Sequence, residues 1–285
     1  MTLRLTAAIG RYPHTAALLD GAIASDAVAL DFADLPVPNR AFAPMVREQR
    51  YDVSEMAIAT FLIAKAHGKP LVLLPVTLAA RFQEAALLCR VNGPVKGPRD
   101  LVGRRVGVRS YSQTTAMWLR GSLSGLQGVA SDSVRWITFE GAHVLECQDP
   151  PWTERAPKGA ELLAMAKSGE VDAAIFGNDL PDDPALTTVF PDPAAAGRDF
   201  LSRFGFVPVN HLVCVTRDVA TKYAEAVAAI VRMFGEAVAG SDLPVGRAAL
   251  TPAIELAVAN CVEQGLLPRP LSRDEVWDGL PAGID

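Results

Sequence analysis

Short apolar runs alternate with stretches of helical periodicity along most of this chain. Leu3–Gly10 alternates apolar and polar positions and stops at a glycine, which predicts a first strand. Thr15–Ile23 predicts a short helix. Ala27–Leu35 predicts a second strand, acidic on one side and broken by Pro36 and Pro38. A helix over Ala41–Arg50 follows, then a third short strand and turn in YDVSEMA, beginning at Tyr51. Phe61–Gly68 reads as a helix with Gly68 at its C′ position. Lys69–Leu78 is an apolar strand of the kind that parallel sheets cover on both faces.

A second block begins with AALLCRV at residues 85–91. It predicts a strand at Arg105–Val108, a helix at Ser110–Leu123, a strand at Ser133–Phe139, and a helix, turn and strand over Ala160–Gly177. Phe206–Thr216 is a further strand and Val219–Gly240 a long amphipathic helix. The tail from Pro252 is helical around IELAVANCVEQGL and then loose. Glycine and proline crowd residues 141–159 and 177–199, which read as loops over a cleft. Strands and helices alternating at this spacing mean βαβ units. The expectation is an α/β protein of two lobes, with mixed sheets carrying helices on both faces and a ligand cleft between the lobes. Residues 1–80 and 208–285 form lobe 1 in this reading, and 81–207 form lobe 2.

Composition narrows the classes. The 285 residues are 50% hydrophobic, enough for substantial cores, and the net charge of −5 argues against nucleic acid as a partner. No apolar stretch reaches the roughly 18 residues of a membrane span. The start, MTLRLTAAIGRYPHT, lacks the apolar region and cleavage site of a secretory signal, so a cytoplasmic location is expected. Cys89, Cys147, Cys214 and Cys261 show no CxxC spacing and read as free, mostly buried thiols. The apolar C-terminal helices are compatible with a homodimer.

The chemistry concentrates at predicted strand ends. In YDVSEMAIATFL the polar pair Ser54 and Glu55 interrupts an apolar run where a strand should give way to a helix. There Ser54 caps the helix or bonds a ligand oxygen. Glu55 acts as acid or base if desolvated, or is a plain first-turn glutamate favoured by the helix dipole. Tyr111, Ser112, Gln113, Thr114 and Thr115 open a helix after a strand, so their hydroxyls and free N–H groups favour a carboxylate; capping by Ser110 or Ser112 is the plainer reading. Arg11, Tyr12 and His14 follow the first strand. Arg11, Arg81 and Arg109 are cations near strand ends, available to a substrate carboxylate or to a surface acid. Phe176 is a candidate aromatic wall beside Asn178, whereas Trp118 and Trp136 are expected to pack inside the second lobe. His211 lies on an apolar strand, where a lone histidine is ordinarily a satisfied core residue. No HxH spacing defines a metal site. No cofactor is expected, and a divalent metal bridging His14, Glu55 and His211 has no support in the spacing.

Four segments carry a resemblance: AIGRYPHTAALLDG, YDVSEMAIATF, DLVGRRVGVRSYSQTTAMWLRG, and VFPDPAAAGRDFLSRFGFVPVNHLVCV with its Arg198-Asp199 pair and His211. In these the chain resembles the 4,5-dihydroxyphthalate decarboxylase family, over most of residues 7–217. The resemblance implies the type 2 periplasmic-binding-protein fold and places His211 at a ligand cleft, where it protonates a ring carbon or orients a carboxylate. It implies non-oxidative decarboxylation of a hydroxylated aromatic carboxylic acid; the catalytic candidates are His211, which the resemblance favours, with Glu55 and His14 from the chain's own pattern. The ligand-binding candidates are Arg11, Tyr12, Ser54, Arg81, Tyr111, Ser112, Gln113, Thr114, Thr115, Phe176 and Asn178. The chain also departs from the family pattern. His14 stands where the family has arginine, Gln83-Glu84 replaces an Arg-His pair, and no arginine follows Phe176. These changes remove cationic partners that a doubly ionised ortho-dicarboxylate needs once desolvated. The alternative is a non-catalytic solute-binding protein of the ABC-transporter type for a small carboxylate or related anion.

Overall fold

A computed structural model describes residues 2–177 and 180–285, so Asn178 lies outside the described residues. The chain forms two compact units, one from residues 1–80, 209–255 and 271–285, the other from residues 81–208 and 256–270.

The first unit holds β1 (Leu3–Ala8), α1 (Ala16–Leu19), β2 (Val28–Phe32), α2 (Phe42–Glu48), β3 (Val53–Ala57), α3 (Ile58–Ala66) and β4 (Leu71–Ala80). Its five-stranded sheet has the order β2-β1-β3-β11-β4, with the late strand β11 (Val209–Thr216) inserted antiparallel between β3 and β4. Strand β1 pairs parallel with both β2 and β3. The β-branched and leucine side chains of these strands, among them Leu5, Val53, Val72, Leu74 and Val213, pack on Val227, Ile230 and Phe234 of α8 (Ala224–Ala237). The helix expected to run unbroken from Val219 is divided. Tyr223, at φ −133° and ψ 52°, separates α7 (Arg217–Lys222) from α8.

The second unit carries β5 (Leu87–Arg90), β6 (Arg105–Val108), α4 (Thr114–Gln127), β7 (Arg135–Thr138), β8 (Thr153–Arg155), α5 (Leu162–Ser168), β9 (Ala173–Ile175), β10 (Leu186–Thr188) and α6 (Pro193–Phe204). Its sheet order is β10-β5-β9-β6-β7-β8, parallel through β9, β6, β7 and β8 and antiparallel at β5 and β10. The C-terminal helices are α9 (Arg247–Glu263) and α10 (Arg273–Trp277). The sequence reading assigns all of 208–285 to the first lobe, but residues 256–270 pack with the second unit. Gln264 is the reason in part: its side chain accepts from Arg120 and donates to the Met117 carbonyl of α4.

Stretches 141–159 and 177–199, expected as loops, contain β8, β10 and the start of α6. Strands of three residues carry too little alternation to be seen. Helix α6 did carry a signal: Asp192 caps it by accepting from the Ala195 amide at 2.9 Å, Pro193 takes the first position, and Gly205 ends it at φ +80°. Its Phe200 is buried edge-on to Trp118, at 6.2 Å, and beside Phe204 and Phe206. Phe200→Ala would empty the centre of this aromatic cluster. We expect it to lower unfolding free energy by about 3–5 kcal/mol in chemical denaturation.

Candidate functional site

Glu55 is the chemical centre of the first unit. It lies inside β3, not at the opening of a helix as the sequence suggests, because α3 begins only at Ile58 with Ala57 as its cap. Ser54 caps nothing: it is buried, and its hydroxyl donates to the Glu55 carbonyl at 2.7 Å. In the register of β3 and β11, Val213 stands opposite Glu55 and His211 opposite Ala57. Side chains two apart on a strand share a face, so Glu55 and His211 are diagonal neighbours on the same face of the sheet.

The Glu55 side chain is wholly buried and fully engaged. Its Oε2 accepts from the Gly10 amide at 2.8 Å, and its Oε1 accepts from the Tyr12 hydroxyl at 2.5 Å and His211 Nδ1 at 2.6 Å. Burial by itself would push this carboxyl up. The hydrogen bond and charge of His211, with the Tyr12 hydroxyl and the Gly10 amide, outweigh it and hold Glu55 below the ordinary carboxylate range. Burial and the neighbouring Glu55 charge push the Tyr12 hydroxyl well above its ordinary value, so it stays protonated and donates.

Local chain geometry serves this cluster. Thr15 is buried and its hydroxyl donates to the Gly10 carbonyl while accepting from the Tyr12 amide, both at 2.8 Å, which shapes the turn after β1. A Cβ on Gly10 would lie 2.9 Å from Glu55 Oε2 and 3.0 Å from the Tyr12 ring, so only glycine lets the amide approach. The His14 ring stacks on Tyr12 at 5.2 Å and 9°, and its Nε2 lies 3.1 Å from the Leu78 carbonyl. Phe42 of α2 meets the His211 ring edge-on at 5.2 Å. Because a carboxylate only accepts, His211 carries its proton on Nδ1 and its Nε2 is the working atom.

In the second unit, α4 begins at Thr114 with Gln113 as its cap, four residues later than the expected start. Ser110 and Ser112 do not cap it: their hydroxyls lie 3.1 Å apart, and Ser110 donates to the Gly141 carbonyl. Tyr111 is not a carboxylate ligand. It is buried, donates to the Gln264 carbonyl at 3.0 Å, accepts from Trp152, and lies under the Arg120 guanidinium at 3.8 Å. Arg120 is itself buried and donates to the Tyr111 carbonyl and to Gln264 Oε1. Tyr111 and Arg120 thus anchor the segment that leads into α4.

Arg81 is half-buried and donates to the Thr115 hydroxyl at 3.3 Å, with no carboxylate partner among the described residues. Burial lowers its pKa. This cation beside the first turn of α4, with Thr115 and the adjoining Ser112, Gln113 and Thr114, suits one carboxylate. The other arginines are engaged: Arg11 pairs with Asp20 at 2.7 Å on the surface, and Arg109 lies 3.9 Å from Glu140. Gln83 and Glu84 are buried, and Glu84 accepts from the Gln83 amide and the Ser122 hydroxyl, so neither replaces a cation. Phe176 packs on the small core of Ile137, Met165, Ala166, Val171 and Ala174. Trp118 and Trp136 are buried, and all four cysteines are free. Among the described residues no group of three or more His, Cys, Asp or Glu side chains is arranged to hold a metal, and no helix is long and apolar enough to cross a membrane.

The fold is that of the periplasmic binding proteins. The aliphatic sulphonate binding protein SsuA of Escherichia coli matches with a TM-score of 0.52 at 16% identity, covering 98% of this chain and 84% of that one. The Candida albicans CA3427 gene product, described as exhibiting the generic periplasmic binding protein fold, matches at 0.50 and 11% identity, over 97% and 79%. A DSZB mutant in complex with biphenyl-2-sulfinic acid matches at 0.56 and 17% identity, over 98% of this chain and 97% of that one. In sequence, the chain is similar to the 4,5-dihydroxyphthalate decarboxylase of Comamonas testosteroni, 26% identical over 81% of this chain and 74% of that protein. It is likewise similar to the Pseudomonas putida protein of the same name, 28% identical over 70% and 81%. No protein-family model matches.

The buried carboxylate has a consequence for stability. Its folded pKa lies below the ordinary value near 4.5, so the unfolded chain binds more protons as the solution becomes acidic. The stabilisation is present in full above that ordinary value and is lost as pH falls through the folded pKa. Melting temperature followed from pH 7 downward should fall in the wild type, and Glu55→Gln should start lower and show a shallower acid dependence.

Proposed function

We propose that this chain is a carboxy-lyase that decarboxylates a hydroxylated aromatic carboxylic acid without oxidation. The observation that carries the proposal is the Glu55–His211 pair: an ionised, buried carboxylate that holds His211 Nδ1 at 2.6 Å and leaves Nε2 for a reactant. Such a ring loses its carboxylate once the carbon bearing it takes a proton, after which the carbon–carbon bond breaks and aromaticity returns. The protein must supply that proton and hold the acid group. His211 Nε2 supplies the proton, while Glu55 is a positioning residue that fixes the tautomer and compensates the positive ring. Within the second unit, Arg81 and Thr115 suit a carboxylate.

The relatives named 4,5-dihydroxyphthalate decarboxylase support this reaction class. Arg81, beside α4 with no carboxylate partner among the described residues, and the internally bonded Gln83 and Glu84 favour a substrate with one carboxylate over an ortho-dicarboxylate. A non-catalytic carboxylate-binding protein is the second reading, favoured by the fold shared with SsuA.

Carboxyl-labelled aromatic acids should release labelled carbon dioxide, and in heavy water the product should carry deuterium at the vacated carbon. His211→Gln should cut kcat by about 10²–10⁴-fold with binding retained, the usual worth of a placed acid. Arg81→Met should raise KM by roughly tenfold or more, the worth of a hydrogen bond to a charged group. Tight binding of such acids with no release from any of them would establish the binding-protein reading instead.

A further inference from the structure

His14 and His211, both in the first unit, are held in opposite ways, and the difference assigns them different work. His211 presents Nδ1 to a carboxylate. His14 presents Nε2 to the Leu78 carbonyl at 3.1 Å. A carbonyl oxygen has no proton to give, so Nε2 of His14 carries the hydrogen and Nδ1 keeps a bare lone pair. That lone pair has no partner among the described residues, and the atom is not among those sealed from solvent without one. The ring is held by stacking on Tyr12, whose hydroxyl bonds Glu55 Oε1, the oxygen that also takes His211. One side chain therefore connects the two histidines. Around His211 stand Glu55, Tyr12 and the edge of Phe42; around His14 stand the Tyr12 ring and the Leu78 carbonyl. The nearby cation in sequence, Arg11, is tied to Asp20. A carboxylate compensates a positive ring on His211, whereas a carbonyl dipole leaves His14 an acceptor.

We propose that His14 Nδ1 accepts the proton of the substrate's ring hydroxyl, so that the phenolic group is a requirement of the chemistry and not a decoration of the substrate. The inference rests on the decarboxylase reading above. The hydroxyl proton moves to His14 Nδ1, and the freed oxygen pair pushes into the ring. The carbon bearing the carboxylate forms a bond to the proton from His211 Nε2, giving a ring ketone. The bond to the carboxylate then breaks, its electron pair restores the aromatic ring, and carbon dioxide leaves. The ring oxygen takes its proton back from His14, and His211 is reprotonated from water. One proton is consumed for each carbon dioxide released, and no oxidant or reductant takes part. The hydroxyl must lie ortho or para to the carboxylate, since only from there does its electron pair reach the carbon that is protonated.

The test compares hydroxylated benzoic acids with their methyl ethers, which keep ring electronics but have no proton to give. Wild-type protein should bind both, read as thermal shift, and release carbon dioxide from the ethers about 100-fold more slowly or worse, the range of a placed base. His14→Gln keeps an N–H for the Leu78 carbonyl but cannot hold the transferred proton. It should lose about 100-fold in kcat on hydroxylated acids with KM little changed, while kcat on the methyl ethers stays as low as in the wild type. Equal turnover of ethers and phenols by the wild type, or an unchanged kcat in His14→Gln, overturns the role of His14 while leaving the decarboxylase standing. Release of carbon dioxide from no aromatic acid at all overturns the decarboxylase reading and this inference with it. The ether comparison uses wild-type protein only, so it can overturn the inference even where a His14 variant folds poorly.

Discussion

A carboxylate taken wholly out of water is the constraint around which the first unit is arranged. Moving an ionised carboxyl into a protein interior costs several kcal/mol even after relaxation, and the cost is met only by donors in good geometry. Glu55 has the Gly10 amide, the Tyr12 hydroxyl and His211 Nδ1. Each of these makes a demand of its own. The amide approach demands a glycine, the tyrosine demands the Thr15-bonded turn after β1, and the histidine demands that β11 be inserted beside β3 in one register. A slip of one residue would carry His211 to the opposite face and leave the carboxylate with an unanswered lone pair.

The second unit solves a related problem with positive charge. Arg120 is buried with no carboxylate partner among the described residues, and the Tyr111 ring, the Tyr111 carbonyl and the Gln264 amide oxygen take the place of an anion. Its Nε and Nη2 are bonded internally while Nη1 is buried without a hydrogen-bond partner, and the two bonds hold the segment before α4 in place. Arg81 is left less complete, with the Thr115 hydroxyl as its one side-chain partner among the described residues. Between two arginines of one unit, the one whose charge is not absorbed by the protein is the one suited to an anionic ligand.

The strand and helix alternation of β1 to β4 and of β6, β7 and β9 was legible because apolar periodicity is a local property. The α/β class and the binding-protein fold followed from it together with the quoted motifs. Other features were illegible for identifiable reasons. Ser54 and Glu55 looked like a turn because polar residues rarely occupy a buried strand, and the donors that permit it come from residues 10, 12 and 211. Tyr111 looked like a ligand because its role depends on Trp152 and Gln264, far along the chain. Helix α6 was hidden in a proline- and glycine-rich stretch, although Asp192-Pro193 and Gly205 were its capping residues in plain view.

By itself, then, the chain's order of residues determined the elements, the class of fold and the side chains chemically able to act, among them His14, Glu55 and His211. Tertiary structure alone decided which of these meet, which ring nitrogen each histidine leaves open, and which arginines are already spoken for. The physical reason is range. Periodicity and capping act over a few residues, whereas hydrogen bonds and desolvation depend on neighbours brought together across the sheet, and the 156 positions between Glu55 and His211 close to 2.6 Å only in the folded protein.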